Sequence, residues 1–517
     1  MISNTRVSLC LSLFFLGACT AVGPEYVKPE VPLAPEWYQA ERAGHTVSAE
    51  EQVRWWRKLN DPALDKLVDL AHEQNNSLRI AALRVLESRA QLGIATGNRY
   101  PQQQVLVGDA TAVSASENAA NTAAGDLSFT QYNVGIGASW EIDFWGKFSR
   151  GIEAADAAYL ASVAGYDQAM VLVTAQVCGT YLAIRTLQEQ LRITDENIAI
   201  QQRSFDLVDI QFKNGSSSEL DVLQARTLLL STMSSVPQLQ TELYQAQHAL
   251  AVLLGMAPGD ISDVLGSDGS IPSIPEESAL LLPADVVRQR PDVRQAEYLA
   301  MAQNASVGLA EASLYPSFSI NGSLGLSAAG NTDTTRTGKS GIGQLFNTDS
   351  VSYAVGPSFV WPFLNYNRIK NSVRVQDARL QQALIAYQET VVQAAREVED
   401  SIVALEGTRK QDGLLRDTVA NALRSSQVAQ LRFNEGFDSY ERVLSAQQAL
   451  FAQQSRYVAN KSKIVGSYIS LYLALGGGWQ VRYDTDLIDA ETRATMSERT
   501  NWGDVIEATE AEISDAN

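Results

Sequence analysis

The chain is written twice. Phe212-Lys213-Asn214-Gly215 returns as Phe433-Asn434-Glu435-Gly436, and the same spacing carries Val222-Leu223 onto Val443-Leu444, Leu254-Gly255 onto Leu475-Gly476 and Trp140 onto Trp361. A slightly shorter spacing pairs Tyr100-Pro101 with Tyr315-Pro316, Leu78 with Val293 and Ala81 with Ala296. The change falls between Pro101 and Trp140, where the polar stretch Ser114 to Ser128 faces a longer counterpart, Ala328 to Ser350. Surface loops tolerate such length changes at small entropic cost. The internal duplication organises everything that follows: each half carries its own copy of the same helix and strand pattern.

Within each copy the apolar period is first seven and elsewhere two. Val373, Leu380, Tyr387 and Ala394 recur by sevens, interleaved with Leu384, Val391, Val398 and Leu405. Ile152, Tyr159, Tyr166 and Val173, with Val163, Met170, Val177 and Ile184, do the same in the first half. Sustained heptads make helices that pack along their length. Only isolated glycines interrupt these runs before Gly215 and Gly436. A helix of about 60 residues reaches about 90 Å, the length of a rod or tube wall.

Before each long helix the period becomes two. Tyr132, Val134, Ile136, Ala138, Trp140 and Ile142 alternate with Asn133, Gly135, Gly137, Ser139, Glu141 and Asp143. Phe318, Ile320, Leu324 and Leu326 alternate with serines and Asn321, and Val351, Tyr353, Val355, Phe359, Trp361 and Phe363 line one face opposite small residues. An apolar, aromatic face opposite a small, polar one fits an outer-membrane barrel with a wet lumen; a half-buried sheet in a soluble domain gives the same alternation. With a weaker strand near Gln103 to Ala112, each chain supplies four strands. The smallest membrane barrels use about eight, and open edges in lipid leave backbone groups unpaired. A membrane-spanning version of this sheet must be closed by other copies.

The N-terminus has the layout of a secretory signal: Arg6, an apolar run from Val7 to Phe15, then Leu16-Gly17-Ala18-Cys19. Small residues before a cysteine look like a bacterial lipobox, with Cys19 the lipidated first residue of the mature chain; an ordinary signal with a chance cysteine is the alternative. Thr20, in place of the Asp of retained inner-membrane lipoproteins, favours outer-membrane sorting. No later apolar stretch of about 18 residues suggests a transmembrane helix. Cys178 alone remains beside Cys19 after the signal is lost, so no intramolecular disulfide is expected. His45, His72 and His248 share no metal-ligand spacing. With 40 basic against 59 acidic residues, the net charge of -19 argues against nucleic acid. Ten of the acids lie between Asp484 and Asn517 against Arg493 and Arg499, a composition expected to stay solvated or partly disordered.

Several stretches resemble the TolC-like outer-membrane efflux proteins, in particular the lipoprotein branch that serves RND-type multidrug pumps. Val53-Arg54-Trp55-Trp56, Asp61-Pro62-Ala63-Leu64 and Asn75-Asn76-Ser77-Leu78 look like that family's opening. Arg288-Gln289-Arg290-Pro291-Asp292-Val293 and Ala310-Glu311-Ala312-Ser313-Leu314-Tyr315-Pro316 look like its mid-chain signature. The likeness runs from about residue 20 to 480. It implies an internally duplicated α+β chain in a homotrimer. Four strands per protomer would build a twelve-stranded transmembrane β-barrel, continued by a long periplasmic α-helical barrel with an equatorial domain. It also implies a lipid on Cys19 as the only covalent addition, no other cofactor, and the outer membrane of a Gram-negative bacterium as the location. The expected partners are a periplasmic adaptor protein and an inner-membrane transporter. The expected organisation is a signal peptide over 1–18, an anchor and extended segment over 19–60, and a first repeat over 61–255. A linker over 256–282, a second repeat over 283–476 and the acidic tail 477–517 follow. Strands are expected at about 103–112, 130–143, 317–327 and 351–363.

The hairpin tips are the expected functional ends. By the resemblance, Asn214-Gly215-Ser216 and Glu435-Gly436-Phe437 would meet the adaptor, although their glycines also serve simply as turns. Asp438 matches an aspartate that helps constrict the closed periplasmic mouth in the lipoprotein branch. Three such carboxylates near one axis would attract cations and form a gate; the position equally suits an N-cap of the returning helix. Arg432 and Arg442 are candidate partners for it. No phosphate loop, nucleophile elbow or cluster of catalytic groups suggests an enzyme. A lipid-anchored periplasmic coiled-coil scaffold without a pore is the competing reading; it explains Cys19 and the heptads but not the duplicated aromatic strands. The cargo is not written in the chain: six methionines without clusters do not point to copper, and small toxic compounds follow from the branch alone.

Overall fold

A computed structural model describes residues 21–32, 37–38, 52–116, 118, 127–259, 261–266, 269–274, 284–331, 341–484 and 486–515. The expected signal peptide and Cys19 lie outside the described residues, as do parts of both variable loops. In chain order the main elements are α1 (Pro62–Gln74), α2 (Asn76–Gly97), β1 (Gln103–Ser114), β2 (Ser128–Ile142), α3 (Lys147–Lys213), α4 (Glu219–Leu253) and α5 (Pro291–Ala312), then β3 (Ser317–Asn331), β4 (Val351–Val360), α6 (Arg368–Asn434), α7 (Tyr440–Ala474), α8 (Ala490–Arg499) and α9 (Val505–Asp515). The duplication is residue-accurate in the helices. α2 and α5 each have 22 residues, α3 and α6 each 67, α4 and α7 each 35.

Two compact units form. The first gathers the N-terminal residues up to Lys28 with Glu87–Leu160 and Glu297–Ile385. Its centre is one antiparallel sheet in the order β1-β2-β3-β4, so both halves contribute a hairpin and β1 and β4 are its edges. Register fixes which residues share a face. Leu106 lies opposite Ile136, Ile136 opposite Leu324, and Leu324 opposite Tyr353. One face therefore carries Leu106, Val134, Ile136, Trp140, Ile320, Leu324, Tyr353, Val355 and Phe359, all exposed. Asn133, Ser139, Asn321, Ser327 and Ser358 lie on the other face, with Val105, Val107 and Val113 of β1, Phe129 of β2 and Val360 of β4 as apolar exceptions. Gly135 and Gly325 bring β2 and β3 together there; a Cβ on Gly135 would stand 2.9 Å from the Gly325 Cα. The repeated tryptophans do the same job twice. Trp140 Nε1 donates to the Arg99 carbonyl and Trp361 Nε1 to the Leu314 carbonyl, both at 3.1 Å. β4 stops at Val360, short of the expected 363, because Pro362 cannot donate to a ladder and the chain turns there, Phe363 N–H bonding the Trp361 carbonyl.

The second unit gathers Pro29–Leu86, Ala161–Ala296 and Ala386–Asn517. Its opening motif is a helix start: Pro62 opens α1, and Asp61 Oδ1 accepts from the N–H groups of Ala63 and Leu64 at 3.1 and 3.4 Å. Tyr181 then donates to the other Asp61 oxygen at 2.5 Å. Trp55 stacks on Tyr472 with ring centres 5.2 Å apart. Arg290 of the mid-chain motif is buried and donates to the Ala474 carbonyl at 2.5 Å, to Asp292 at 2.7 Å and to Glu397 at 2.8 Å, tying the end of α7 to the start of α5. Arg482 is paired with the fully buried Asp167, and Arg294 adds a second cation at 3.6 Å.

Two expectations need correction. The apolar content of α3 is high enough, by length and composition, for a membrane span, contrary to the reading that no segment qualifies; 61% of its apolar 18-residue stretch is buried, so helix packing accounts for it. The acidic tail is also not simply solvated. Asp489 caps α8 and accepts from Arg79 Nε at 3.2 Å, Arg79 Nη2 reaches Thr492 at 2.9 Å, and Arg493 holds Glu510 at 2.6 and 2.7 Å. Ile488, Met496, Ile506 and Thr509 are buried. Overall charge concealed a few apolar positions spaced to dock.

Candidate functional site

Both hairpin tips are built by the same backbone device. α3 ends in a turn in which Gly215 N–H bonds Phe212 O and Ser216 N–H bonds Gln211 O, both at 2.8 Å; α6 ends with Gly436 N–H on Phe433 O at 3.0 Å and Phe437 N–H on Arg432 O at 2.9 Å. The glycines take φ of 76° and 78°, a region that disfavours any side chain.

What differs is how each turn is tied to the returning helix. At the first tip Ser218 is the N-cap of α4 and forms a capping box with Asp221. Asp221 N–H donates to Ser218 Oγ at 3.2 Å, and Asp221 Oδ2 accepts from Ser218 Oγ at 2.7 Å, from Ser218 N–H at 3.0 Å and from Ser217 Oγ at 3.0 Å. Burial opposes ionisation of Asp221, but these hydrogen bonds outweigh it and hold the carboxyl below the usual range.

At the second tip, in the duplicate register, Asp438 stands where the first has Ser217, and Arg442 where it has Asp221. The box is lost: Ser439 is the N-cap of α7 but its side chain bonds no helix N–H. Asp438 is not the cap. Its carboxylate accepts from Arg432 Nε at 2.5 Å and lies 3.4 Å from Arg442 Nε, so it latches the last turn of α6 to the first turn of α7. Asp438 is 13% exposed, against 55% and 73% for the two arginines, which shield it.

Above the tips an apolar cluster holds the hairpins together. Val208, Ala225, Tyr440 and Val443 are buried, with Phe205, Val222, Phe433 and Leu444 packed around them. Phe433 meets Tyr440 edge-on at 5.4 Å, and the Tyr440 hydroxyl lies 3.4 Å from Ser204 Oγ, which donates to Gln430 at 3.2 Å. Burial raises the Tyr440 phenol above its ordinary value. Sequence reading missed Tyr440 and the Asp221 box; the signal was there in the duplicate positions where residue chemistry changes. Below the cluster, Ile210, Leu220, Leu223, Leu431 and Phe437 are exposed, Phe437 to 74%. Among the described residues no group of three or more His, Cys, Asp or Glu is placed to hold a metal.

The family described as Outer membrane efflux protein matches residues 67–256 and 282–477, one match to each repeat. The chain is 31% identical over 477 residues to Cation efflux system protein CusC of Escherichia coli O6:H1, covering 91% of this chain and 98% of that protein. It is 30% identical over 480 residues to the solvent efflux pump outer membrane protein SrpC of Pseudomonas putida, covering 91% and 97%. Among solved structures, the outer-membrane channel OprN superposes with a TM-score of 0.81 at 27% identity over 89% of this chain and 99% of its own. A CusC structure gives 0.73 at 28% identity over 89% and 100%.

Proposed function

The chain belongs to the outer membrane efflux protein family, and from that premise we propose that it is the exit duct of a tripartite efflux system, working as a homotrimer anchored by a lipid on Cys19. The carrying observation is the sheet: one exposed face is apolar and aromatic along its length, and β1 and β4 are unpaired edges. In water that face would stay uncovered, and in lipid the edges would leave backbone groups unpaired, each costing several kcal/mol. Closure with the sheets of other copies resolves both, giving a barrel with its apolar face to lipid and its serine and asparagine face to a lumen. This is also why the scaffold reading is weaker, since a scaffold has no use for that face.

The tips supply the other end. Exposed Ile210, Phe212, Leu220, Leu223 and Phe437 beside Asn214-Gly215-Ser216 and Glu435-Gly436-Phe437 form the docking surface for a periplasmic adaptor that connects to an inner-membrane transporter. The Arg432–Asp438–Arg442 latch keeps the second tip folded inward and constricts the periplasmic mouth. The relatives named above export cations and solvents, so the duct conducts chemically varied small toxic compounds passively and leaves selection to the transporter.

Single-channel recording in planar bilayers tests the reading. Small conductance that rises in Asp438→Ala supports a duct closed at its tip. A conductance indifferent to the substitution moves the gate elsewhere, and silence from folded protein, the tip variant included, returns the scaffold.

A further inference from the structure

The polar face of the sheet carries an arrangement that the latch and the docking surface do not use. Asp109 and Glu141 are the only acidic or basic residues in the four strands. Glu141, near the helical end, is neutralised by Lys147 at 2.9 Å. Asp109 sits mid-strand on β1, and among the described residues its side-chain partners are neutral donors. Asn133 Nδ2 on β2 reaches its two oxygens at 3.3 and 3.1 Å, and Thr111 Oγ1 donates at 3.0 Å. Asn133 is itself oriented by Ser327 Oγ of β3 and by Gln131 Nε2, which donate to its Oδ1 at 2.9 and 3.3 Å. Three strands thus hold one carboxylate in place without cancelling its charge. The other rung on this face, Ser139 to Asn321 to Ser358, is uncharged. Beside the Asn133–Ser327 rung, Gly135 and Gly325 hold β2 and β3 in close backbone contact: a Cβ on Gly135 would stand 2.9 Å from Gly325 Cα, and one on Gly325 2.8 Å from the Val134 carbonyl oxygen.

Resting on the duct reading above, we infer that Asp109 is a selectivity-determining residue of the strand-lined part of the pore: its symmetry copies form a ring of fixed negative charge that favours cations, inorganic or organic, over anions. This ring is separate from Asp438, which belongs to the second hairpin tip and is shielded by two arginines. Acidic rings set cation preference in pores by this means. At about 0.1 M salt the Debye length is about 10 Å, and one carboxylate about 10 Å from a passing ion changes the local cation-to-anion ratio about 1.7-fold. Three copies together give about fivefold.

The test is the reversal potential across a potassium chloride gradient, recorded with the full-length lipidated protein in an Asp438→Ala, Arg432→Ala background that opens the tip. Adding Asp109→Asn, which keeps the shape and loses the charge, should lower the potassium-to-chloride permeability ratio about fivefold. Asp109→Lys should drive it further toward chloride, in channels of unchanged heat resistance. Equal ratios in the background protein and both Asp109 variants overturn the role of Asp109 while leaving the duct intact. No current in any of them overturns the duct itself.

Discussion

Replacing Asp438 by Asn leaves the shape of the second tip and removes its latch. At a charge separation of about 4 Å an ion pair is worth about 4 kcal/mol at an effective dielectric constant of about 20 and about 1 kcal/mol in bulk water. Arg432 is 55% exposed, so screening brings its share to about 1.5 kcal/mol, and Arg442, longer and 73% exposed, adds about 0.5 kcal/mol. The sum, about 2 kcal/mol, raises the local opening equilibrium about 30-fold, since about 1.4 kcal/mol is tenfold. Hydrogen exchange reads this directly. The amides of Glu435, Gly436, Phe437 and Arg442 bond Leu431, Phe433, Arg432 and Ser439 carbonyls, and their exchange should quicken by about that factor in the variant. High salt should do part of the same to the wild type. The amides of Gly215 and Ser216 should not respond, because the first tip is tied by the neutral-donor box of Ser217, Ser218 and Asp221. Unchanged protection at Gly436 and Phe437 in Asp438→Asn would refute the latch.

Gly255→Ala should cost about 2 kcal/mol or more and lower the melting temperature, since φ is 71° and a Cβ would stand 2.3 Å from the Gln74 carbonyl oxygen. Burial lowers the His72 imidazole to about 4 from 6.5, so between those values the unfolded chain binds the proton and the native one does not. Stability should therefore fall by about 3 kcal/mol as pH drops from about 6.5 to about 4, and denaturant titrations of His72→Gln should flatten that slope. The Cys178 thiol is fully buried, and burial pushes it up out of the reactive range; thiol reagents should label it only after unfolding, as mass spectrometry of pulse-labelled protein will show.

Much of the architecture was legible because the chain repeats. Heptads from Ile152 and Val373 implied long helices, and alternation around Tyr132 and Tyr353 implied strands. Other features depend on residues far apart in sequence. Asp438 looked as good a cap as a gate, because only the turn shows that Arg432 reaches across to it while Ser439 takes the cap position. The tail looked solvated because charge is a property of composition, whereas its docking rests on Arg79 meeting Asp489 and on Ile488, Met496 and Ile506 finding cover. Asp109 drew no notice within a weak strand pattern until the register set it beside Asn133.

On the duct proposal, this sheet is one sector of a barrel closed between copies. Native mass spectrometry of the detergent-extracted protein, with heating beforehand, tests this closure. A species of three chains that keeps its β-structure until the trimer dissociates is the expected result. A monomer that retains the sheet in detergent, with no larger assembly at any concentration, would contradict it.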